Sequence, residues 1–411
     1  MRFPAIDTRS SRRGVPYCVL MAKKELEQHI AVFGGSGSGK TVLLSSFFGS
    51  MKQSGQAGAR RFSLVADNPA QGTQLLQRYY AMKDDGALPP SNRYRADTYQ
   101  FSLNLKAPAD GAQSKKSPFQ AVRLVWHDYP GEWFEQDVSG ATEAQRRVDL
   151  FRSLLMSDVA LLLIDGQQLL NHAGEEERYL GTLFGSLTNT LLALKDELLQ
   201  DEKQLIQFPR IWVLGLSKAD LLPEMTATRL SEIVTKTAGH HLNDLREAIQ
   251  SIVAGDEALS VGEDFLLLSS AKFSPGQIDV SERVGVDLIL PLAAILPFER
   301  HLRWVKKTEL PTKVARELLS SSVDVLEVLG LASGFLKKIN VPGPLGVAAK
   351  GLAAVLGTSA VGHVADAAED KLEEFHAAAL IKRDDLAAIL TQFRIDLERA
   401  EREGVLMRSQ R

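Results

Sequence analysis

A β-branched and aromatic run, His29-Ile30-Ala31-Val32-Phe33, stops at two glycines and enters Gly34-Gly35-Ser36-Gly37-Ser38-Gly39-Lys40-Thr41. The next residues place Leu43, Leu44, Phe47 and Phe48 at helical spacing. The pattern G-x-x-x-x-G-K-[S/T], set between a strand and a helix, leaves few folds open. Glycines let successive backbone N–H groups turn inward, and the helix start adds positive potential, so the turn suits phosphate. In such a turn Lys40 reaches the β- and γ-phosphates of a nucleoside triphosphate, and the Thr41 hydroxyl ligates Mg²⁺. The bland alternative is a Gly/Ser turn joining strand to helix. The full pattern in its context argues against it.

The rest of the chain alternates in the same way. Apolar strand signals fall over 61–66, 98–105, 121–127, 159–164, 210–216 and 265–270, with a short one at 17–21. Helical periodicity covers about 71–82, 175–199, 225–254 and 286–303. Near-continuous apolar strands between helices imply an α/β fold, a parallel sheet covered by helices on both faces. After about residue 307 the strand signal stops. We therefore expect a lead-in over 1–27, a nucleotide-binding domain over 28–307 and an α-helical C-terminal domain over 308–411. The chain has 411 residues, 48 Lys plus Arg against 51 Asp plus Glu, and one cysteine, Cys18. That balance does not suggest a nucleic-acid partner, and one cysteine excludes an internal disulfide and Cys-rich metal sites. With no signal-peptide pattern at residues 1–20, the expected location is cytoplasmic.

Three further motifs lie at strand ends. Asp128-Tyr129-Pro130-Gly131 follows the 121–127 strand; an acid there can hold the Mg²⁺ shell, and the glycine amide can sense a γ-phosphate. Taken alone, D-x-x-G is common turn chemistry. Ser217-Lys218-Ala219-Asp220 ends the 210–216 strand. A carboxylate at Asp220 accepts from the guanine N1–H and amine, whereas adenine would face it with a lone pair. The Lys218 stem can lie along the base. Ser270-Ala271-Lys272 follows the last strand, where a backbone N–H could meet the guanine O6.

In this order the motifs resemble the G domain of translation-factor-class P-loop GTPases. The DYPGEW sequence, the extra strand and helix after the P-loop helix, and Pro89-Pro90 before the Thr98 strand resemble the bacterial YcjX-like, double-GTPase group. The resemblance covers about residues 28–304. It implies a P-loop NTPase fold and a molecular switch that binds and hydrolyses GTP to GDP with Mg²⁺. Nucleotide contacts would fall on residues 34–41, 217, 218, 220 and 270–272. Lys40, Gly131 and Glu132 would serve catalysis, and Thr41, Asp128 and Thr98 would serve the metal.

Two departures stand out. Glu132 replaces the Gln that follows D-x-x-G in many small GTPases; a carboxylate near a γ-phosphate is repelled, which implies slow intrinsic hydrolysis. The switch threonine is fixed by no motif. Thr98 is chosen because it directly precedes a strand, with Ser91 its rival. His127 should point away from Asp128 and act as a packing or hydrogen-bonded histidine. His240 and His241 read as solvated. Trp133 and Phe134 are either loop anchors or partner contacts.

In the C-terminal part, Leu318, Val325, Leu329 and Leu336 form one amphipathic signal, broken at Val341-Pro342-Gly343-Pro344. Residues 345–364 are weakly apolar and glycine-spaced but carry Lys350, which favours a packed helix over a membrane-active segment. Leu372, Phe375, Leu386, Ile389, Phe393 and Leu397 make a stripe suited to a helix folded back on the G domain. The partners expected are a guanine nucleotide, a protein that reads the switches or C-terminal helices, a second copy in a homodimer, and peripheral membrane contact through 345–364. The rival functions are a nucleotide-gated assembly or membrane-associated protein, and an ATPase.

Overall fold

In the computed structural model, the described residues are 26–53, 62–89, 97–105, 121–128, 131, 140–199, 204, 211–253, 261–274, 277–308 and 385–409. The expected strand at 17–21, Ser91, Glu132, Trp133, Phe134 and residues 309–384 lie outside them.

Strand β1 (Leu26–Phe33) leads through the glycine turn into α1 (Lys40–Lys52). β2 (Phe62–Ala66) and α2 (Pro69–Asp85) follow. Pro69 opens α2, and the Asn68 side chain caps it by accepting the Ala70 N–H at 3.0 Å. β3 (Asp97–Leu105) and β4 (Ala121–Asp128) form an antiparallel pair in which Thr98 faces His127. Then come α3 (Ala141–Leu155), β5 (Val159–Asp165), α4 (Gly166–Asn171), α5 (Glu176–Ala193) and α6 (Lys195–Leu198). The second half holds β6 (Ile211–Ser217), α7 (Ala227–Ile252), β7 (Asp264–Leu267), a small β8–β9 hairpin (Lys272–Ser274 and Gln277–Asp279) and α8 (Ile289–Thr308).

Eight of the ten described strands, with β10 (Leu406–Met407) the last, make one sheet in the order β10-β7-β6-β5-β1-β4-β3-β2, and β8 pairs with β9 alone. Its centre, β7-β6-β5-β1-β4, is parallel, as the apolar runs predict. The β2–β3–β4 side is antiparallel. Alternate residues serve two cores. Ile30, Val32, Leu124 and Trp126 pack under α1 and α8, whereas Ala31, Phe33, Leu162 and Leu214 pack under α3, α5 and α7.

The chain's far end returns to this core, as the stripe of Ile389, Phe393 and Leu397 suggests. α9 (Asp385–Arg402) packs on α8, and Ile389, Phe393 and Leu397 enter the same core as α1. β10 (Leu406–Met407) then pairs antiparallel with β7 and becomes an edge of the sheet. Backbone bonds fix it: Leu267 N–H donates to the Val405 carbonyl at 2.9 Å, and Ala227 N–H to that of Gly404 at 2.7 Å. Residues 385–409 therefore pack into the same body as the sheet. A two-residue strand leaves no periodic signal to read, which is why the sequence shows only helix there.

Candidate functional site

The glycine turn departs from β1 between the two cores and starts α1 at Lys40. Gly37 (φ 77°) and Gly39 (φ 89°) are left-handed, a conformation that favours glycine and lets the turn curl inward. Gly39 stands at the N-cap of α1, where no side chain takes the free amides. Lys40 is buried, and its ammonium arches over the turn, donating to the Gly34 carbonyl at 2.7 Å and the Gly35 carbonyl at 3.0 Å. The Ser38 side-chain hydroxyl is buried beneath the turn without a hydrogen bond. Thr41 is half-buried in the first turn of α1.

β4 lies beside β1 in parallel, so Asp128, buried at its end, emerges next to the turn. Gly131 packs on the turn itself. A Cβ there would lie 2.5 Å from the Ser36 amide nitrogen and 2.6 Å from the Gly35 carbonyl carbon. Asp128 shares its sheet face with Trp126, the face covered by α1.

Thr98 is the residue that the structure does not bring in. It pairs with His127, so its side chain stands on the face opposite Asp128 and α1. Its hydroxyl lies 3.4 Å from His127 Nδ1. His127 behaves as the alternation predicts: buried, it meets His29 Nδ1 through Nε2 at 3.1 Å and lies 3.4 Å from the Ser153 hydroxyl. Burial, with His29 beside it, pushes its pKa down to about 4, so the ring is neutral at pH 7.

The two segments expected to recognise the base do meet. β6 ends at Ser217, Lys218 turns left-handed at φ 55°, and Asp220 sits in the short 3-10 turn Ala219–Leu221. Ser269 Oγ lies 2.7 Å from Asp220 Oδ1, and the Phe273 N–H donates to Oδ2 at 3.4 Å. The Ser46 hydroxyl on α1 donates to the Ser270 carbonyl at 2.7 Å, tying this segment to the P-loop helix. Ala271 is buried. Lys272 instead points outward, pairing with Glu282 at 2.9 Å on the surface.

Sequence reasoning missed Asp165, a buried carboxylate at the end of β5 that pairs with Lys218 at 2.7 Å. An Asp-Gly after a buried strand was the available signal, and it matches no motif. It also missed a cavity of about 260 Å³ beside the P-loop, between Phe33, Leu162 and α5, with Ser38 and Asp165 on its wall. Among the described residues no helix is long and apolar enough to cross a membrane, and 345–364 lies outside them.

The family model described as Double-GTPase 2 matches residues 28–266, more than half of the chain. No curated protein matches. Among solved structures, the chain is similar to the signal recognition particle receptor SRb-GTP/SRX complex of Chaetomium thermophilum. That match has 16% identity and a TM-score of 0.30, covering 61% of this chain and 93% of that one. It is similar also to the GTP-bound Ski7 GTPase-like domain of S. cerevisiae, at 14% identity and a TM-score of 0.31, covering 62% of this chain and 45% of that one. An oligomerised bacterial dynamin pair matches at 14% identity and a TM-score of 0.25, covering 93% of this chain and 66% of that one. Identities this low transfer no function.

Proposed function

Because the chain belongs to the Double-GTPase 2 family, a group of P-loop GTPases that bind guanine nucleotide, we propose that it hydrolyses GTP to GDP and phosphate and switches between the two states. The observation that carries this reading is the contact of Gly131 with Gly35 and Ser36. It joins the D-x-x-G segment to the phosphate turn, so a γ-phosphate arriving there would have to displace or engage that glycine.

In this mechanism the inward amides of 34–39 and the Lys40 ammonium hold the β- and γ-phosphates. They stabilise charge that grows on them as the γ-phosphoryl group transfers to water. Asp220 selects guanine, with Ser269 and Phe273 fixing its carboxylate from behind. Thr41 in the first turn of α1 and the buried Asp128 would supply a hydroxyl and a carboxylate, a hard-oxygen donor set that suits Mg²⁺. Bound there, Mg²⁺ would neutralise phosphate charge. Thr98 joins that set only if the start of β3 leaves its ladder with β4, and such a movement would be the first switch. Glu132 next to Gly131 argues for slow unaided turnover.

The test is nucleotide identification on purified protein, followed by turnover with and without EDTA. Absence of GTP hydrolysis under all protein concentrations, with Mg²⁺ present, would overturn the hydrolase reading. A rate per molecule that rises with concentration would point to a second copy.

A further inference from the structure

β5 and β6 run parallel with Asp165 opposite Ser217, and the turn after β5 grips the turn after β6 in three ways. Lys218 Nζ donates to Asp165 Oδ2 at 2.7 Å. The Ser217 hydroxyl donates to the Ile164 carbonyl at 3.3 Å. A Cβ at Gly166 would lie 2.6 Å from the Ser217 carbonyl oxygen and 2.9 Å from that of Lys218, so only glycine admits this approach. Between these contacts Lys218 holds φ 55°, the one left-handed non-glycine residue among those described. A lysine keeps such a backbone only when its surroundings over-determine it.

Asp165 is itself held firmly. Its Oδ1 accepts the Gln167 N–H at 2.9 Å and caps α4, which directs Oδ2 to the ammonium. Its own N–H donates to the Tyr179 Oη at 2.7 Å. The carboxylate keeps 9% of its side-chain exposure against 31% for Lys218, so the lysine is the member free to face a ligand. A charge-assisted bond from a fixed carboxylate orients the long lysine side chain that would otherwise sample many rotamers.

We infer that Asp165 is the positioning residue of the base-recognition turn. It fixes the Lys218 side chain and, with Gly166, the backbone that presents Asp220 two residues later. Guanine affinity and selectivity then depend on a carboxylate that reads no base. The inference rests on the proposed role of Asp220. Ser269 and Phe273 grip Asp220 from the β7 side, and Asp165 grips Lys218 from the β5 side, so the turn is clamped from both neighbours.

The experiment uses the full chain and a fluorescent methylanthraniloyl-GDP probe, displaced by GTP or ATP, together with steady-state GTP hydrolysis. Asp165→Ala should weaken probe binding by about tenfold or more, the scale of one lost charge-assisted bond, and narrow the preference for GTP over ATP. KM should rise far more than kcat falls. Asp165→Asn, which still caps α4, should lie between wild type and Asp165→Ala. The double variant Asp165→Ala/Lys218→Ala should bind no worse than Lys218→Ala alone. Selective wild type with an unchanged Asp165→Ala displacement curve would overturn the inference while leaving the guanine reading intact. Effects that multiply in the double variant would overturn it too, because Asp165 would then not act through Lys218. Equal displacement by GTP and ATP in wild type would sink the guanine reading and this role with it. If Asp165→Ala fails to fold by circular dichroism, Asp165→Asn decides by the same criteria.

Discussion

Gly131 lies so close to Ser36 that a single methyl group at Gly131 would stand 2.5 Å from the Ser36 amide nitrogen. Two motifs nearly a hundred residues apart thus share one van der Waals contact, backbone against backbone. The P-loop cannot give way cheaply, because it is fixed by its own turn and by the Lys40 bonds to Gly34 and Gly35.

Gly131→Ala should therefore destabilise the protein by about 1–3 kcal/mol, the usual cost of overpacking, read from urea melts. It should also slow single-turnover GTP hydrolysis. A variant with wild-type stability and rate would show that the contact does not matter.

Asp220→Asn should weaken GTP and improve xanthosine triphosphate, because the amide donates where the carboxylate accepts. The structure adds a smaller effect. Asn keeps one acceptor oxygen, yet Asp220 uses one oxygen for Ser269 and the other for Phe273. A loss of about 1 kcal/mol in stability is expected from one weakened hydrogen bond. Competition assays with both nucleotides check the swap, and no gain for xanthosine triphosphate would count against the base-reading role.

Lys40→Ala removes the ammonium that caps the P-loop carbonyls. Hydrolysis should fall further than binding, since charge grows on the phosphates in the transition state. Comparing the GTP dissociation constant with the single-turnover rate tests this, and unchanged turnover in a folded variant would remove the P-loop from the chemistry.

Truncation after residue 384 would remove Ile389, Phe393, Leu397 and Leu406 from the core and uncover α8 and β7. The fragment should be insoluble or bind a hydrophobic dye. Within the full chain, Leu397→Ala alone should cost about 2–5 kcal/mol, because Leu397 is fully buried. A soluble, cooperatively melting 1–384 fragment would contradict the packing described here.

Much of this site can be read from residues alone, because each motif sits at the end of a buried strand and parallel strands bring their ends to one rim. Gly34–Thr41, Asp128 with Gly131, and Ser217–Asp220 all follow that rule. Other features depend on pairing that no local pattern encodes. Thr98 falls on the far face because its register partner is His127 rather than Asp128, and the one-residue difference decides the face. The Lys272 side chain turns to Glu282 because it opens a surface hairpin, which leaves the expected role of the segment's backbone N–H untouched. Asp165 escaped because its role depends on a lysine 53 residues away, a distance that only the β5–β6 register bridges.

The pairing of β10 with β7 also has a consequence for how the protein is made. A ribosome releases the chain from its N-terminus, and β7 emerges well before Leu406 and Met407. At about 5–20 residues per second, the growing chain would carry an incomplete sheet for on the order of ten seconds. During that interval the outer edge of β7, beside β6, stands open to other strands. The sheet is thus complete only once residues 385–409 are made, and its aggregation risk lies in the moments before they arrive.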